Sequence, residues 1–256
     1  MRTTLFILGL ALVATVACSS PPANVQVARF QAEDVFWRQA DIAEEIAPLL
    51  TQSDLAPLVP WLNHDDRHVR GNTAYLFARL EDRRGLDTLF GILSDRSSQR
   101  TIQAPPIETG LVEEVGGAEV DPLTAWRRNP AALAQQISTD RYYAVHLLGR
   151  LRSPRAVDVL VPLLADDDID YNVAWALGEI GDARAIPALI EALSNRDAVA
   201  RVAAIGALEK MHATQALPRL ASLFDDAAIP QAGPQVSVGA TARRAAASIQ
   251  SSRGQQ

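Results

Sequence analysis

Two stretches of the chain, YYAVHLLGRLRSPRAVDVL at residues 142–160 and YNVAWALGEIGDARAIPAL at residues 171–189, match each other column for column. The offset between them is 29 residues, from 142 to 171. Gly149 coincides with Gly178, and most other columns keep their apolar or polar character. Self-similarity at a fixed period is typical of repeat proteins, in which each repeat forms one structural unit.

Similar copies extend to both sides of this pair. Residues 54–80 align with residues 185–211, and residues 213–226 begin a further copy that residues 238–250 complete. Each copy is predicted as a short helix, a turn with Asp or Asn, and a second helix rich in Ala and Leu. Neither helix can bury its apolar face alone, so the copies must stack on one another. The pattern predicts an all-α fold, an α-solenoid of about five helix pairs.

The repeats over residues 54–250 resemble HEAT repeats. The resemblance is to the short form of about 30 residues that is found in phycobilisome lyase-like proteins. It implies a right-handed α-solenoid whose second helices line the concave surface. It says much about the fold and little about function, because one fold serves many functions.

The first 17 residues are typical of a bacterial export signal, since Arg2 is followed by an apolar run and then by small residues. Cys18, the single cysteine, ends a Thr-Val-Ala-Cys sequence that resembles the lipobox of bacterial lipoproteins and implies lipidation of Cys18. The alternative is an ordinary secretory signal cut after Ala17. Ser19 resembles an outer-membrane sorting signal. We therefore expect a cell-envelope protein, lipid-anchored in the outer membrane and facing the periplasm, if the organism has two membranes.

The predicted folded body covers residues 29–252, after a lipoprotein signal peptide at 1–17 and a polar tether at 18–28. Its first stretch, residues 29–50, is amphipathic and is predicted as a single helix that caps the N-terminal end of the solenoid. The apolar side chains predicted to be buried there are Phe30, Val35, Phe36, Ile42 and Ile46.

Two predicted units carry insertions at equivalent turns, at about residues 96–136 and 227–238. Equivalent turns of a solenoid lie along one edge, so both insertions are expected to project from the same acidic rim. Long loops on a rigid scaffold often bind partners, and disorder is the alternative for the longer insertion. The carboxylates predicted on this rim are Asp65, Asp66, Asp166, Asp167, Asp168 and Asp225.

An aromatic stripe is the strongest candidate for a binding site. Aligning the second helices places Tyr75, His146 and Trp175 in one column, with Tyr142 and Tyr171 one turn earlier. Large amphipathic rings dominate the energetics of protein interfaces, which favours a protein or peptide ligand. The alternative is that these rings pack between neighbouring helices at the edge of the core. Charged residues one turn later complete the predicted partner-binding face, namely Arg150 and Glu179.

Catalytic and metal sites find little support in the sequence. His64 and His68 stand four residues apart, which is a weak pattern for metal ligands because the segment spans a turn and Asp66 is expected to cap the next helix. The chain has one cysteine and no nucleophile elbow, so we assign no catalytic residue and expect no cofactor. With 24 basic and 30 acidic residues, the chain is not expected to bind nucleic acid.

These observations predict a non-enzymatic scaffold that is lipid-anchored at the cell envelope and binds a protein or peptide partner through its concave face and rim. One alternative is an enzyme or enzyme subunit, either metal-assisted through His64 and His68 or lyase-like. Bilin lyases share the repeat, but an export signal would place this chain in the wrong compartment for that role. The other alternative is a purely structural component of the envelope.

Overall fold

The structure is a computed structural model that describes residues 21–97, 130–232 and 235–253. The predicted signal peptide with Cys18, most of the long insertion and two residues of the short one lie outside these ranges. Within them every regular element is helical and no strand occurs. The helices described include none with the length and apolarity that crossing a bilayer requires.

The α-helices follow one another along the chain, and several of them are joined by short 3-10 segments. In chain order the α-helices are α1 (Ala23–Ala32), α2 (Phe36–Ile46), α3 (Arg67–Arg79), α4 (Arg83–Ser94), α5 (Pro130–Leu151), α6 (Val157–Leu160), α7 (Asp170–Ile180), α8 (Ile186–Ala192), α9 (Ala198–Lys210), α10 (Leu217–Ala221) and α11 (Val238–Arg253). The 3-10 segments are Ala47–Leu49, Gln52–Asn63, Pro154–Ala156, Val161–Ala165, Ala183–Ala185 and Thr214–Ala216.

These elements form a row of helix pairs whose second members are α3, α5, α7, α9 and α11. The first members are the 3-10 segment Gln52–Asn63, α4, α6 with its flanking turns, α8 and α10. Each second helix packs against the next one, from α3 through to α11. One continuous apolar core runs from Val27 to Ile249. The prediction of an all-α solenoid is confirmed, while the hand of its superhelix stays a prediction.

Prolines shorten the first helices of the pairs. Pro57 and Pro60 lie inside the segment Gln52–Asn63, which is 3-10 along its whole length. Pro187 and Pro218 stand in the first turns of α8 and α10. Proline lacks the amide N–H that the interior of an α-helix needs, so Pro57 and Pro60 interrupt regular α-helical hydrogen bonding. In the first turn of a helix that N–H has no partner anyway, so Pro187 and Pro218 are tolerated there. The longer second helices therefore supply the extended faces of the solenoid.

Aspartates begin several helices as N-terminal caps. Each carboxylate accepts the backbone N–H two residues further on, which satisfies an amide that has no partner within the helix. The capping distances are 2.7 Å at Asp66, 3.0 Å at Asp82, 2.9 Å at Asp182 and 2.8 Å at Asp197. Helix initiation thus explains these four aspartates.

Three hydrogen bonds and one ion pair also join the second helix of one unit to the turn of the next. Each joins a residue of a second helix to a partner 25 residues later, in the turn of the next unit, such as Arg70 with Asp95. We call these contacts the turn ladder. Because the Arg141 side chain is only 1% exposed, it needs its partner Asp166 to offset the cost of burying a charge. The ladder consists of Arg70–Asp95 (3.0 Å), Arg141–Asp166 (2.5 Å), Asn195–Asp170 (2.7 Å) and Arg201–Asp226 (3.0 Å).

The turn ladder changes the interpretation of the predicted acidic rim. Asp166 is not a free charge, because the hydrogen bond from Arg141 lowers the pKa of its carboxyl against the opposing effect of burial. Asp66 is buried and caps α3. Exposed side chains on the rim are Asp65, Asp167, Asp168 and Asp225, the last of which pairs with Arg243 at 3.1 Å.

The N-terminal cap consists of two helices, which corrects the prediction of one helix over residues 29–50. Helix α1 begins at Ala23, so residues 23–28, assigned to the tether from the sequence, belong to the folded body. The chain leaves the helical conformation between α1 and α2, where Glu33 and Val35 have extended backbone angles. The amphipathic pattern continues across this break, because the spacing of apolar residues does not show a change of chain direction. The sequence therefore predicted one helix where there are two.

Side-chain hydrogen bonds hold the break in place. The amide of Gln39 donates to the carbonyl oxygens of Phe30 at 3.1 Å and Glu33 at 3.3 Å. Of the residues predicted to be buried in the cap, Phe30, Ile42 and Ile46 are buried, whereas Val35 and Phe36 are only partly buried.

Four second helices end at the same left-handed backbone position. The φ angles there are 60° at Glu81, 52° at Arg152, 71° at Gly181 and 49° at His212. These positions are equivalent in the repeat, since each lies just after the last turn of α3, α5, α7 or α9. Glycine adopts this conformation without the Cβ clash that other residues meet, so the other three positions are strained.

We predict that Gly181→Ala lowers the free energy of unfolding by about 1 kcal/mol, because alanine resists a left-handed φ. A steric clash with neighbouring residues is not the cause, since no atom lies within 4 Å of a Cβ built on Gly181. His212→Gly should raise the free energy of unfolding by about 0.5 kcal/mol, because relief of strain outweighs the entropy that glycine loses on folding. Urea unfolding followed by circular dichroism measures both changes. A more stable Gly181→Ala would contradict the argument.

Candidate functional site

Glycines let three second helices lie very close together. A Cβ on Gly149 of α5 would come within 2.6 Å of the Trp175 ring and 3.0 Å of the Cα of Ala176 on α7. A Cβ on Gly178 of α7 would come within 2.8 Å of the Cα of Ala207 on α9. Only glycine fits at both crossings without displacing backbone. The glycine columns of the sequence thus set α5, α7 and α9 side by side as one surface.

An open groove of about 610 Å³ runs over this surface. Tyr171, Trp175 and Glu179 are spaced four residues apart on α7, so they share one face and span about 12 Å along the helix axis. The volume of the groove lies within the range of ligand-binding sites. The other lining residues are Tyr142 and His146 from α5, Asn172 and Gly178 from α7, and Ala203, Gly206, Ala207 and Lys210 from α9.

Two pairs of aromatic rings dominate the groove. The rings of His146 and Trp175 are stacked, with centroids 4.8 Å apart and planes at 9°. The rings of Tyr142 and Tyr171 are tilted by 45°, with centroids 5.8 Å apart, and each tyrosine is 37% exposed. The structure therefore brings together these four residues, which the sequence analysis placed on one face. Their role in binding stays a prediction.

Gly206 creates the hollow beside Trp175. It follows Tyr75, His146 and Trp175 in the same column of the repeat. No atom lies within 4 Å of a Cβ built on Gly206. His146 of α5 covers one face of the indole, and Trp175 lines the groove together with Gly206 of α9, beside which there is open space. A ring-shaped apolar group of a ligand can stack at this point.

Glu179 binds two cations at the C-terminal end of the groove. Lys210 donates to its Oε1, and the Arg152 guanidinium donates to its Oε2 at 3.0 Å. Burial opposes the ionisation of Glu179, but the hydrogen bonds from Lys210 and Arg152 outweigh burial and lower the pKa of the carboxyl. The Glu179 side chain is 16% exposed, against 48% for Lys210 and 65% for Arg152. The charge that faces solvent here is therefore positive.

His146 is favoured in its neutral form. Burial lowers the pKa of its imidazole, and the charge of Arg150 lowers it further, whereas Asp41 and Glu179 act in the opposite direction. A neutral ring can stack on Trp175 without bringing a charge into the half-buried site.

Two residues predicted on the concave face lie away from the groove. Tyr75 is 0% exposed, so its ring offers no surface to a ligand. The Arg150 guanidinium lies 5.6 Å over the Tyr75 ring and pairs with Asp41 at 3.1 Å and with Glu44. Because Asp41 and Glu44 belong to α2, the N-terminal cap covers this end of the second-helix surface. Alignment of the repeats contained no information about where the cap would pack.

The weak metal candidates do not form a ligand cluster. The Nδ1 of His64 accepts the amide N–H of Asp66 at 3.0 Å, which occupies a lone pair that a metal would need. His68 is buried and stacks on Phe36, with ring centroids 4.3 Å apart. Among the described residues there is no group of three or more His, Cys, Asp or Glu side chains that could hold a metal ion.

The small residues of the groove were missed by the sequence analysis. Ala203 and Gly206 on α9 form the low side of the groove opposite the rings of α7. The sequence does contain a signal for this hollow. The column that holds aromatic rings up to Trp175 continues with Gly206, which has no side chain. Asn172 was also missed; its amide donates to the carbonyl oxygen of Tyr142 at 2.7 Å and joins α7 to α5 beneath the tyrosines.

A family model of HEAT repeats matches residues 131–194 and, in a second and overlapping match, residues 165–231. The matched residues include nearly all of α5 and the whole of α7 and α9, which line the groove. The resemblance inferred from the repeated residues is confirmed. The lipoprotein signal, the membrane attachment and the absence of nucleic-acid binding stay predictions.

Curated relatives match part of the chain and are named phycocyanobilin lyase subunit alpha. The one from Microchaete diplosiphon is 43% identical over 74 residues, which are 25% of this chain and 25% of that protein. The one from Synechococcus elongatus is 36% identical over 122 residues, which are 43% of this chain and 44% of that protein. The chain thus spans less than half the length of these relatives.

A solved structure, the crystal structure of an engineered protein, aligns with 90% of this chain and 96% of its own at 18% identity. Its TM-score is 0.37, which is too low to add to the description of the fold.

The expectation of a non-enzymatic chain is wrong. Five curated relatives, each matched over part of the chain, carry the name phycocyanobilin lyase subunit alpha. The expectation gave too much weight to the absence of a recognisable catalytic motif. An enzyme subunit can act through the partner that it holds, and such a role leaves no nucleophile or metal pattern in its own sequence.

We predict that acid destabilises the fold through His146. Because its pKa lies below the ordinary value of 6.5 in the folded chain, the unfolded chain takes up the proton first as the pH falls. The contribution of His146 is therefore complete above about pH 6.5 and is lost below it. Wild type should lose more stability between about pH 7.5 and 5.5 than His146→Phe, as measured by urea unfolding. Equal losses in the two proteins would rule out this role of His146.

Proposed function

We propose that this chain, in which residues 131–231 match a family model of HEAT repeats, is a lyase-related enzyme subunit that binds a protein partner through the groove on α5, α7 and α9. The observation that carries the proposal is the exposed aromatic groove within the residues that the HEAT-repeat model matches. The name of the relatives describes a subunit, and a subunit works together with another chain. The role of this chain is to bind that partner.

The groove has the physical properties of an interface centre. Tyrosine and tryptophan side chains commonly supply the largest share of binding energy at interfaces. Here Trp175 is fixed by stacking on His146, and the backbone of Tyr142 is fixed by Asn172. Side chains that are already ordered lose little entropy on binding, so more of the contact energy appears as affinity.

We predict that Gly206→Trp abolishes partner capture by filling the hollow beside Trp175. A photo-reactive amino acid placed at Tyr171 of the full chain, expressed in its host, should form an adduct with a protein partner. The adduct should fall at least about tenfold in the Gly206→Trp background, because a blocked interface centre costs more than 1.4 kcal/mol.

Gly91→Trp is the matched control. Gly91 is an exposed glycine within α4, and like Gly206 it has no atom within 4 Å of a built Cβ. Both variants should therefore keep the helical content and the urea midpoint of a folded chain, whereas only Gly206→Trp should lose the adduct. An adduct that persists at full yield in Gly206→Trp would show that the groove is not the partner site.

We further propose that the subunit acts at the cell envelope, attached by lipid on Cys18. The support is the export-signal pattern of the first residues and the Thr-Val-Ala-Cys sequence that ends it. We predict that cells fed an alkyne fatty acid label the wild-type chain and that Cys18→Ser loses the label. Wild type should also partition into detergent, and Cys18→Ser should not. An unlabelled wild type, or a labelled Cys18→Ser, would refute lipidation at this cysteine.

A further inference from the structure

The groove has an uneven distribution of charge. Glu179 and Lys210 line one end of the groove, and Arg152 lies next to that end through its ion pair with Glu179. Lys210 and Arg152 are more exposed to solvent than the carboxylate of Glu179 that they share. Two cations share one carboxylate, so this end carries a local charge of about +1 in a chain whose formal net charge is −6. The exposed Asp167 and Asp168 lie in the turn before α7 and do not line the groove.

Helix capping does not account for these cations. Cations near the end of a helix commonly balance its last carbonyl groups. Here backbone amides already bond to carbonyls in the last turns, as Gly181 N–H does to Leu177 O on α7 at 3.0 Å. Arg152 N–H bonds to Gly149 O at 3.1 Å on α5, and His212 N–H bonds to Glu209 O at 3.0 Å on α9. The side chains of Lys210 and Arg152 instead meet at Glu179, with their outer surfaces free for a further anion.

The positive end lies one helical turn from the open face of Trp175. Trp175 and Glu179 are four residues apart on α7, which corresponds to about 6 Å along the helix axis. A ring that stacks in the hollow at Gly206 can therefore be followed, within a few residues of the same segment, by a group that reaches Lys210 and Arg152.

We propose that the partner inserts an acidic segment into the groove, with an aromatic or prolyl ring on the open face of Trp175 and a carboxylate on Lys210 and Arg152. This inference rests on the proposed function and names the chemistry of the partner. A basic segment would place like charges against both exposed cations, and such contacts select against a partner.

The test reverses the charge at the positive end of the groove while keeping the ion pairs that residue 179 makes there. In the triple variant Arg152→Glu, Glu179→Arg, Lys210→Glu, one partly buried cation pairs with two exposed carboxylates, so the local charge changes from about +1 to about −1. Glutamate is compatible with the left-handed backbone at position 152, because Glu81 has φ 60° at the equivalent position after α3. Circular dichroism and urea unfolding establish that the variant is folded.

A phage library of random linear peptides is selected on the full chain, with the triple variant and Gly206→Trp in parallel. Wild type should enrich peptides with an aromatic or prolyl residue close to Asp or Glu, and the triple variant should enrich Lys or Arg in their place. Gly206→Trp should enrich neither. Fluorescence anisotropy with the best acidic peptide should show about tenfold weaker binding to the triple variant, and binding to wild type should weaken with salt.

Basic peptides from wild type, an unchanged preference in the triple variant, or no enrichment on wild type would each overturn the inference. The proposed function fails separately, through the cross-linking experiment. If Tyr171 captures a partner and Gly206→Trp blocks that capture while the peptide selection fails, the groove binds a partner of other chemistry.

Discussion

The close side-by-side contact of second helices, made where a glycine of one faces an alanine of the next, is the constraint that governs this solenoid. Gly149 meets Ala176 and Gly178 meets Ala207 at distances that leave no room for a Cβ. Interiors are packed as densely as crystals, so a larger residue at either crossing would push whole helices apart. The turn ladder supports the same arrangement from the rim, because each of its contacts links one unit to the next.

The groove follows from this packing combined with a change of side chain. Equivalent positions on successive second helices face the same way, so the column that contains His146, Trp175 and Gly206 forms a line across α5, α7 and α9. Large rings fill the first two positions, and the third is open. A regular backbone with irregular side chains is how one repeat scaffold provides specific sites, and the function therefore lies in the departures from the repeat.

Similarity to lyase subunits changed the functional interpretation more than it changed the fold. The export pattern at the N-terminus had argued against a lyase role on the ground of compartment. The export pattern and the repeats occupy different segments of the chain. A protein can therefore be directed to another compartment without any change in its repeats. A subunit that binds a partner through aromatic rings and a positively charged end is compatible with both the export pattern and the similarity to lyase subunits. Binding of a partner needs no catalytic group within the groove.

The sequence alone was sufficient for the helix pairs, the capping role of Asp66, and the shared face of Tyr142, His146, Tyr171 and Trp175. These features are local, because spacing along a helix sets which residues share a face. Contacts between distant segments decided the rest. Arg150 pairs with Glu44, 106 residues away, and this contact holds α2 over Tyr75. Arg141 donates a hydrogen bond to Asp166, 25 residues away. Repetition shows which positions are equivalent, but whether an equivalent position is covered or open is settled by the neighbour that packs on it.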